Sequence, residues 1–475
     1  MKNNKFPSLT DARKRTIHET QIQRDLFSLD KQLANLGEGK TCYLRTYGCQ
    51  ANERDSETIV GIMKKMGFEM IEDEKNADMI ILNTCAIRKN AEDKVIGEIG
   101  YLKQFKEQNP DLIIALCGCM AQEEEVIQLL IDKYPQVDLV FGTHNIYRLP
   151  QLLHQVMVTH ERVIEVFSKE GEVIEGIPTD RFIKHKAWVN IIYGCNKFCT
   201  YCIVPYTRGK ERSRLIEDII KEVEELKLNG YQEITLLGQN VNAYGKDLDY
   251  EDGFSHLLEE VAKTNIPRIR FTTSHPMDFT DKTIDIMAKY SNIMPYLHLP
   301  VQSGNDDMLK IMGRKYSIQR YKEIYDRLKT LIPNCSFSTD IIVGFPNETE
   351  QQFEDTLALY DYCQFDNAYT FIYSARSGTP AAKMEDNVDH KEKQRRLSIL
   401  NEKVDYYAKM KNEAYLNKTV KVLVDGFSKK NKEVYSGYTD TNKLVNFTAD
   451  QVEIGTIVDV LITEAKTWSL NGRRV

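Results

Sequence analysis

The segment "GCNKFCTYCIVPYTRGK", residues 194–210, places three cysteines within eight positions: Cys195, Cys199 and Cys202. It directly follows "AWVNIIY", an apolar run rich in the residues that favour β-strands. The next cysteine after the segment is Cys335. Structural zinc sites and ordinary iron–sulfur clusters are normally held by four protein ligands. Three clustered thiols therefore predict a metal site with one open position, and the alternatives are a zinc site with a distant fourth ligand or thiols without a common role.

The same segment begins a series of six strand-like runs that are separated by amphipathic helices. These runs are "AWVNIIY", "QEITLLG", "RIRFTT", "PYLHLP", "CSFSTDIIVG" and "NAYTFIY". Six βα units are too few for a complete eight-fold barrel. The pattern predicts a partial, open (βα)6 barrel over residues 186–408, with the three cysteines after its first strand. Loops that follow strands in such folds are where ligands bind.

A second set of cysteines follows three strand-like runs nearer the N-terminus. "TCYLRTYG" precedes Cys49, "DMIILNT" precedes Cys85, and "LIIALCG" precedes Cys119, with helical stretches between them. Strands that alternate with helices indicate a doubly wound parallel sheet, here over residues 41–155, whose ligands lie beyond the carboxyl ends of the strands. We therefore expect these three thiols to converge at one sheet edge. Taken singly, each could equally be a buried core residue, which is the role predicted for Cys42, Cys117, Cys335 and Cys363.

The remaining chain divides by composition. Residues 1–40 read as a polar extension, and residues 156–185 as a charged linker. Residues 409–475 alternate apolar and polar positions between polar turns, which predicts a small β-barrel of the oligonucleotide-binding kind. A packing module without a ligand is the alternative for this last segment.

Composition limits the classes of function. The chain has 475 residues, 42% of them hydrophobic, and a net charge of −7, so it can form large cores and does not simply coat nucleic acid. The stretch 186–214 is an exception, with six basic residues and one acidic residue. The N-terminus lacks the apolar segment of a secretory signal, and no apolar run is long enough to span a bilayer. These features predict a cytoplasmic protein with reduced cysteines.

The spacing of Cys195, Cys199 and Cys202 resembles the signature of the radical S-adenosylmethionine superfamily. This resemblance implies that the three thiolates hold a [4Fe–4S] cluster whose fourth iron binds the amino acid end of S-adenosylmethionine. Reductive cleavage of that cofactor then gives a 5′-deoxyadenosyl radical. Tyr201 occupies the position where the superfamily has an aromatic residue near the adenine, and simple packing is the alternative.

Several further segments resemble the radical methylthiotransferase family within that superfamily. "TYGCQAN", "NTCAIR" and "GCMAQ" resemble its three segments for a second cluster, and "HLPVQSG" and "DIIVGFPNET" resemble its barrel segments. The last domain resembles the RNA-binding TRAM domain. The resemblance covers residues 41–475 and implies a second [4Fe–4S] cluster on Cys49, Cys85 and Cys119.

The family has three main branches, and this chain resembles the branch that modifies tRNA carrying isopentenylated adenosine. The resemblance implies methylthiolation of N(6)-(dimethylallyl)adenosine at position 37, beside the anticodon, with two S-adenosylmethionine molecules per product. It also implies an electron donor such as flavodoxin or ferredoxin, and we expect a monomer without a membrane partner. The open alternatives are threonylcarbamoyl-adenosine in tRNA, a ribosomal protein aspartate, or a non-catalytic, metal-stabilised RNA-binding protein.

Other polar positions follow the barrel strands and are candidate cofactor contacts. Each could instead be an ordinary turn residue; the candidates are Gln239, Asn240, Gln302, Ser303, Asp340 and Gly344. Four basic residues recur at every second position after the cysteine loop. In an extended strand they would all point to one side, where they could contact tRNA phosphate or the cofactor carboxylate. They are Arg208, Lys210, Arg212 and Arg214, and a solvated face is their alternative. His275 is predicted to be a satisfied core histidine.

Overall fold

The computed structural model describes residues 22–86, 89–166 and 172–475. The chain divides into two compact units. The first contains the chain up to Phe182 with Tyr193–Phe198 and Cys202–Arg212, and the second contains Ile183–Ile192, Cys199–Tyr201 and Ser213–Val475. Residues 1–21 of the predicted extension lie outside the described residues. Within the described ranges, no helix is both long and apolar enough to cross a membrane.

The first unit is built on a parallel sheet of six strands, in the order β3-β2-β4-β5-β6-β7. Strand β2 lies between β3 and β4, so the chain reverses its direction across the sheet at β2. Such a reversal creates a crevice beyond the carboxyl ends of the two strands that flank it, here β2 and β4. The strands of this unit are β1 (Arg24–Leu26), β2 (Thr41–Tyr47), β3 (Glu69–Met70), β4 (Met79–Thr84), β5 (Ile113–Gly118), β6 (Leu139–Phe141), β7 (Val163–Glu165) and β8 (Val173–Glu175).

Helices cover both faces of this sheet, which confirms the predicted doubly wound architecture. Successive strand residues point to opposite faces: Ile81 belongs to the core under the first and fourth helices, and Leu82 to the core under the second and third. The helices are α1 (Gln50–Lys65), α2 (Lys89–Gln108), α3 (Glu124–Lys133), α4 (Leu149–Thr159) and, in the cysteine-rich segment, α5 (Val204–Thr207).

The segments expected as an extension and a linker contribute to the first unit. Strand β7 pairs with β6 and completes the large sheet, and β8 pairs in parallel with β1. Arg181 Nη1 donates to Glu57 Oε2 of α1 at 3.1 Å. The sequence reads as a linker because these strands are only three residues long and carry charged side chains, but their backbones pair with strands far away in the chain.

The second unit contains the six predicted barrel strands. They form two parallel sheets of three, β13-β12-β9 and β14-β15-β16, with an isolated parallel bridge between Ile269 and Ile293 beside β13. The strands, with the two-residue strands β10 and β11 that flank the cysteine-rich loop, are β9 (Lys186–Asn190), β10 (Ile192–Tyr193), β11 (Arg212–Ser213), β12 (Glu233–Leu237), β13 (Arg268–Phe271), β14 (Tyr296–His298), β15 (Ser336–Val343) and β16 (Asn367–Ile372).

Helices of this unit alternate with the strands and pack on one continuous apolar core. Several start at a side chain that accepts a backbone N–H of the first turn, namely Thr280, Asn305, Ser317, Thr349 and Asp389. Each such cap contributes about 1 kcal/mol. The helices are α6 (Ile216–Leu228), α7 (Gly253–Lys263), α8 (Asp281–Lys289), α9 (Asp306–Ile311), α10 (Ile318–Leu331), α11 (Glu350–Cys363) and α12 (His390–Glu413).

The C-terminal part of the second unit is a closed five-stranded barrel, as predicted. Its strand order is β17-β18-β19-β21-β20, with a small apolar core of its own. The strands are β17 (Thr419–Ser428), β18 (Asn431–Thr439), β19 (Leu444–Thr448), β20 (Ile457–Ala465) and β21 (Leu470–Arg474).

This small barrel contacts the amino ends of the large-barrel strands. Arg268 and Arg270, in β13, donate to the Thr439 carbonyl, and both pair with Glu233 at the start of β12. Lys186, which begins β9, pairs with Asp425 at 2.6 Å. Ion pairs buried at this end leave the opposite, carboxyl ends of the strands available for ligands, as in other βα barrels.

Candidate functional site

The three strand-end cysteines of the first unit lie at adjacent places along one sheet edge. Cys49 precedes α1, Cys85 follows β4 and Cys119 follows β5, and these segments belong to three neighbouring strands. The strand ends are in register, because Thr84 is opposite both Tyr47 and Gly118. The edge is the crevice where the strand order reverses. Tertiary structure thus brings together thiols that are 36 and 34 residues apart in the sequence.

The Cys49 thiol lies in a setting that favours its ionised form. Several influences together lower the pKa of Cys49 to about 5, against the opposing effect of burial. The largest of them is a hydrogen bond with Cys85, and the charge of Arg208 and the backbone N–H groups of Asn52 and Ala51 act in the same direction. Cys49 is the N-cap of α1, and helix N-termini stabilise thiolates.

The turn before Cys119 requires glycine. Gly118 has φ +93°, and a Cβ there would lie 2.3 Å from the Thr84 carbonyl oxygen and 2.5 Å from Asn83 Oδ1. Only glycine combines this backbone conformation with such a close approach. The chain can therefore leave β5 against the end of β4, which places Cys119 beside the Cys85 turn.

A buried amide network fixes the other two turns. Asn52 Nδ2 donates to Asn83 Oδ1 at 3.2 Å and to the Thr84 carbonyl at 3.1 Å. Asn83 Nδ2 donates in return to the Asn52 carbonyl and to Ser56 Oγ, both at 2.8 Å. The network links the first turns of α1 to the end of β4, so the backbones that carry Cys49 and Cys85 are held together.

Arg208 and Asp55 complete this edge, and the sequence did not indicate their role. Arg208 Nε donates to Cys119 Sγ at 3.1 Å, and its Nη2 donates to Asp55 Oδ2 at 2.8 Å. Burial raises the pKa of Cys119, and the guanidinium opposes that effect. The only sequence signal for Asp55 is the polar run "NERDSE" at 52–57, most of which is buried at the start of α1.

The first unit also holds Cys195 and Cys202 of the tight triplet. The Cys195 backbone N–H donates to the Gly209 carbonyl at 3.0 Å, and its Sγ accepts from the Lys197 N–H at 3.4 Å. A Cβ at Gly194, where φ is +73°, would lie 2.0 Å from the Lys210 carbonyl. The cysteine loop therefore returns closely onto residues 209–210.

Side chains from this loop pack on the strand-end cysteines. Phe198, Ile203 and Tyr206 form one apolar cluster with Ala86 and Cys119. Since Ala86 follows Cys85 directly, the segment that carries Cys195 and Cys202 lies against the turns that carry Cys85 and Cys119. Both belong to the first unit.

Cys199 belongs to the second unit, where an arginine approaches it. Arg314 Nη1 lies 3.9 Å from Cys199 Sγ, Nε donates to the Tyr316 hydroxyl at 3.0 Å, and Nη2 donates to the Pro300 carbonyl. The adjacent Thr200 N–H donates to the Met312 carbonyl at 2.9 Å. Sequence reasoning gave no signal for Arg314.

The chemistry of these donors fits iron–sulfur clusters. Among the residues in the described ranges, no three His, Cys, Asp or Glu side chains are grouped as the ligands of a single metal ion would be. A cubane cluster has a different requirement, because each thiolate binds a separate iron and the sulfurs stand farther apart. Buried thiols with cationic neighbours, such as Cys119 beside Arg208, suit the ligands of such a cluster.

Asn240, the candidate cofactor contact after β12, has a buried hydrogen-bond acceptor that is available to a ligand. Asn240 is buried, and its Nδ2 donates to Asp278 Oδ2 at 2.6 Å, while Lys246 Nζ pairs with Asp278 Oδ1 at 2.6 Å. Over the part of the chain that the structure describes, Asn240 Oδ1 has no hydrogen-bond partner. A buried orphan acceptor suits a cofactor amino or hydroxyl group. Gln239, directly before it, is half-buried.

The candidate cofactor contacts in β15 and after β14 differ in their backbone conformation and in their neighbours. Gln302 has φ +71°, its N–H donates to the Asp340 carbonyl at 2.8 Å, and its carbonyl accepts from Ile342. Such a left-handed non-glycine residue is strained and is typical of ligand sites. Ser303 is fully buried, and its Oγ accepts from the Asn305 N–H at 3.4 Å, which is a turn contact. Asp340 in β15 lies 3.5 Å from His298 Nε2.

Two candidates have neighbours within the protein that explain them. Gly344 has φ +67°, and a Cβ there would lie 2.3 Å from Lys393 Cγ of α12. A helix side chain therefore lies beside this glycine, for which a cofactor contact was predicted. Tyr201 packs edge-on to Phe345, with 6.2 Å between ring centroids. His275 is buried, and its Nδ1 accepts from the Met277 N–H at 3.2 Å.

The basic residues after the cysteine loop do not form the single exposed face that the sequence predicted. The run is not continuously extended, because Gly209 has φ +71° and only Arg212–Ser213 form a short strand. Arg208, Arg212 and Arg214 are all buried. Arg212 lies over the Tyr193 ring and donates to the Lys210 carbonyl at 3.2 Å. Arg214 pairs with Glu222 at 2.6 Å. Lys210 is half-buried.

Three protein families match successive parts of the chain. The family described as "Uncharacterized protein family UPF0004" matches residues 41–142, the "Radical SAM superfamily" matches residues 189–360, and the "TRAM domain" matches residues 413–475. The matches follow the order of the predicted domains.

Full-length relatives share one name, tRNA-2-methylthio-N(6)-dimethylallyladenosine synthase. The protein from Bacillus cytotoxicus is 58% identical over 470 residues, which is 99% of this chain and 92% of the relative. The protein from Bacillus licheniformis is 57% identical over the same share of each chain.

Solved structures with a similar fold are distant in sequence. The radical S-adenosylmethionine methyltransferase TsrM from Kitasatospora setae, with cobalamin and a [4Fe–4S] cluster bound, has a TM-score of 0.53 at 11% identity, covering 72% of this chain and 77% of TsrM. The same enzyme with tryptophan and an S-adenosylmethionine analogue has a TM-score of 0.51 at 11% identity, covering 70% and 72%. These similarities concern the fold alone.

Proposed function

Because this chain belongs to the family of tRNA-2-methylthio-N(6)-dimethylallyladenosine synthases, we propose that it methylthiolates N(6)-(dimethylallyl)adenosine at position 37 of tRNA. It is a transferase of a sulfur-containing group, and it uses S-adenosylmethionine and a [4Fe–4S] cluster as its superfamily does. The product carries the methylthio group on carbon 2 of adenine. Each product consumes two S-adenosylmethionine molecules, one for the methyl group and one for the radical.

The observation that carries this proposal is the convergence of thiols in the first unit. Cys49, Cys85 and Cys119 occupy one sheet edge, and the loop with Cys195 and Cys202 packs against that edge through Phe198, Ile203 and Tyr206. The reaction requires a radical source and a sulfur source within reach of one base. The contact between the loop of Cys195 and Cys202 and the turns of Cys85 and Cys119 supports this requirement.

We assign the two sets separate roles. Cys195, Cys199 and Cys202 hold the cluster that binds S-adenosylmethionine, and Cys49, Cys85 and Cys119 hold an auxiliary cluster. When bound, the first cluster would supply the electron that cleaves S-adenosylmethionine to the hydrogen-abstracting radical, and the second would supply the sulfur. Carbon 2 carries no acidic proton and no leaving group, so acid–base catalysis by side chains cannot activate it.

The other side chains orient the ligands and limit water. Asn240 has a free Oδ1 at the carboxyl end of β12, and Gln302 has a strained backbone conformation after β14, and we assign both as cofactor contacts. Apolar packing around Cys119 reduces access of water to the thiolates. The target base leaves its stack at a cost of a few kcal/mol, which is smaller for loop bases than for paired ones.

The partners follow from the reaction. The small C-terminal barrel, which matches the TRAM domain, contacts the tRNA. A one-electron donor of the flavodoxin or ferredoxin class reduces the cluster, the enzyme acts as a monomer, and the reaction takes place in the cytoplasm, where tRNA is modified.

The test is nucleoside mass analysis of tRNA from a bacterial strain that lacks its own enzyme of this family. Expression of this chain should restore 2-methylthio-N(6)-dimethylallyladenosine, and Cys199→Ala should not. Cys363→Ala, a buried cysteine of the barrel core, is the matched control and should restore the nucleoside.

Other results would contradict the proposal. If only threonylcarbamoyl-adenosine gained a methylthio group, or if a ribosomal protein did, the substrate would be wrong. If purified protein did not cleave S-adenosylmethionine under reducing conditions, the chain would be a metal-stabilised RNA-binding protein.

A further inference from the structure

Arg208 makes contacts that neither substrate binding nor simple ion pairing explains. Its Nε donates to Cys119 Sγ at 3.1 Å, and its Nη2 donates to Asp55 Oδ2 at 2.8 Å. The arginine side chain is 10% exposed and the aspartate 12% exposed. A guanidinium this deep is unavailable to tRNA phosphate.

A second buried arginine, which pairs with another acidic residue of α1, provides a comparison. Arg181 Nη1 donates to Glu57 Oε2 at 3.1 Å, and both side chains are buried. Asp55 and Glu57 are neighbours on α1, so the two pairs share a scaffold. Arg208 differs because one edge of its planar fork is directed at a thiol sulfur, and arginine holds such bidentate geometry better than lysine does.

The backbone around Arg208 fixes the position of the guanidinium. Thr143 Oγ1 donates to the Thr207 carbonyl at 2.8 Å, and the Arg208 N–H donates to the Val204 carbonyl at 2.8 Å. Tyr206, two positions before Arg208, packs in the cluster that contains Cys119. The arginine is therefore held beside this sulfur by the same segment that carries Cys202.

The charges of Arg208 and Asp55 should shift the reduction potential of a nearby cluster in opposite directions. Reduction potentials of iron–sulfur clusters depend on net charge and on hydrogen bonds to the sulfurs. A cation that donates N–H to a ligand thiolate stabilises the more negative, reduced form. A nearby carboxylate has the opposite effect, and Asp55 Oδ2 lies 2.8 Å from Arg208 Nη2.

We propose that Arg208 is a positioning residue that donates a hydrogen bond to the Cys119 ligand and sets the reduction potential of the auxiliary cluster, with Asp55 holding its guanidinium in place. This inference rests on the proposed function, because it needs a cluster on Cys49, Cys85 and Cys119. Arg208 itself does not touch the substrate.

The experiment isolates the auxiliary cluster in the full-length chain. Cys195, Cys199 and Cys202 are all replaced by alanine, the protein is reconstituted anaerobically, and its cluster is titrated with a reductant and followed by electron paramagnetic resonance. Arg208→Met, Arg208→Lys and Asp55→Asn are compared on this background. Arg181→Met is the control for loss of a buried arginine that pairs with α1.

We expect shifts of opposite sign. Arg208→Met makes the midpoint potential more negative, Arg208→Lys does so by less because the charge remains, and Asp55→Asn makes it less negative. Arg181→Met leaves it unchanged. A structural role alone would produce loss of iron in every variant without ordered shifts.

Failure of the inference differs from failure of the proposed function. If the background protein with Arg208 intact bound no iron, the auxiliary cluster itself would be refuted. If it bound iron but Arg208→Lys and Asp55→Asn shifted the potential in the same direction, or neither shifted it, the role of Arg208 would be rejected. Should Arg208→Met fail to hold a cluster, the lysine and asparagine variants decide the sign.

Discussion

Strands β2 and β5 each carry one cysteine in the strand and one just past its end, and the two kinds have different surroundings. Cys42 lies within β2 and Cys117 within β5, both fully buried in the core under α1 and α4. Cys49 and Cys119 lie past the ends of the same strands and contact polar or charged groups. Cys119 is nearly as buried as Cys117, so burial does not distinguish a structural cysteine from a candidate cluster ligand.

The difference lies in what compensates for burial. Burial raises the pKa of Cys42 and of Cys117, so both stay protonated within an apolar core. At the strand ends, hydrogen bonds and Arg208 act against burial, and for Cys49 they exceed it. This sheet thus keeps inert thiols in its strands, whereas the thiols beyond the carboxyl ends have hydrogen-bond donors and a cation that oppose the effect of burial, because side chains of the connections converge there.

The largest effect is expected from removing one strand-end thiol. Cys85→Ala should lower the iron content of anaerobically prepared protein from about eight to about four atoms per chain. Cleavage of S-adenosylmethionine should persist, while methylthiolation of tRNA should stop. Cys42→Ala, the matched in-strand variant, should keep all three properties. Iron analysis and product assays check this, and full iron content in Cys85→Ala would remove the distinction between the two kinds of cysteine.

Alkylation of the apoprotein should separate the same two kinds of thiol. With a pKa of about 5, Cys49 is almost fully ionised at pH 7, whereas an ordinary thiol is ionised to about 3%. Its reaction with iodoacetamide should be nearly independent of pH between 6.5 and 8 and should slow as the pH falls below 5. Cys42 should react only on unfolding. Peptide mapping by mass spectrometry gives both rates, and a Cys49 rate that climbs tenfold per pH unit would contradict the assignment.

The turn between Cys117 and Cys119 should tolerate no side chain. Gly118→Ala places a Cβ against the Thr84 carbonyl at positive φ, and we expect a loss of about 2 kcal/mol or more in the free energy of unfolding, with reduced iron binding. Gly97→Ala is the control, since a Cβ there meets nothing within 4 Å and helix α2 should gain about 0.5 kcal/mol. Urea unfolding of reduced apoprotein measures both changes.

The smallest effect concerns the amide network behind the strand ends. Asn52→Ala removes hydrogen bonds to Asn83 and to the Thr84 carbonyl, and we expect a loss of about 1–2 kcal/mol, because buried partners remain unsatisfied. Asn76→Ala removes an exposed bond to Asp73 and should change the free energy of unfolding by less than about 0.5 kcal/mol. Equal losses would show that the network does not support the site.

The site could be predicted from sequence where the chemistry depends on local spacing or on strand order. Cys195, Cys199 and Cys202 follow from spacing alone. The common edge of Cys49, Cys85 and Cys119 follows from counting strands, because the carboxyl ends of parallel strands share an edge whatever their separation in the chain. The roles of the cysteines and of the polar candidates after the barrel strands remain proposals, and among the polar candidates Asn240 and Gln302 have the strongest structural support.

The sequence could not identify contacts between distant segments. Arg208 and Asp55 are 153 positions apart, and alternation predicted that Arg208 shares one face with Lys210, Arg212 and Arg214, whereas it is buried beside Asp55. Gly344 was predicted to contact the cofactor, and its neighbour in the structure, Lys393 of α12, could only be seen in three dimensions.

The sequence by itself determined the spacing of the candidate ligands and the order of strands and helices, because both are local properties. Tertiary structure alone decided which thiols are inert and which have polar or charged partners. The physical reason is that the ionisation of a buried thiol depends on the few groups within hydrogen-bond reach, and here those groups come from segments remote in the chain.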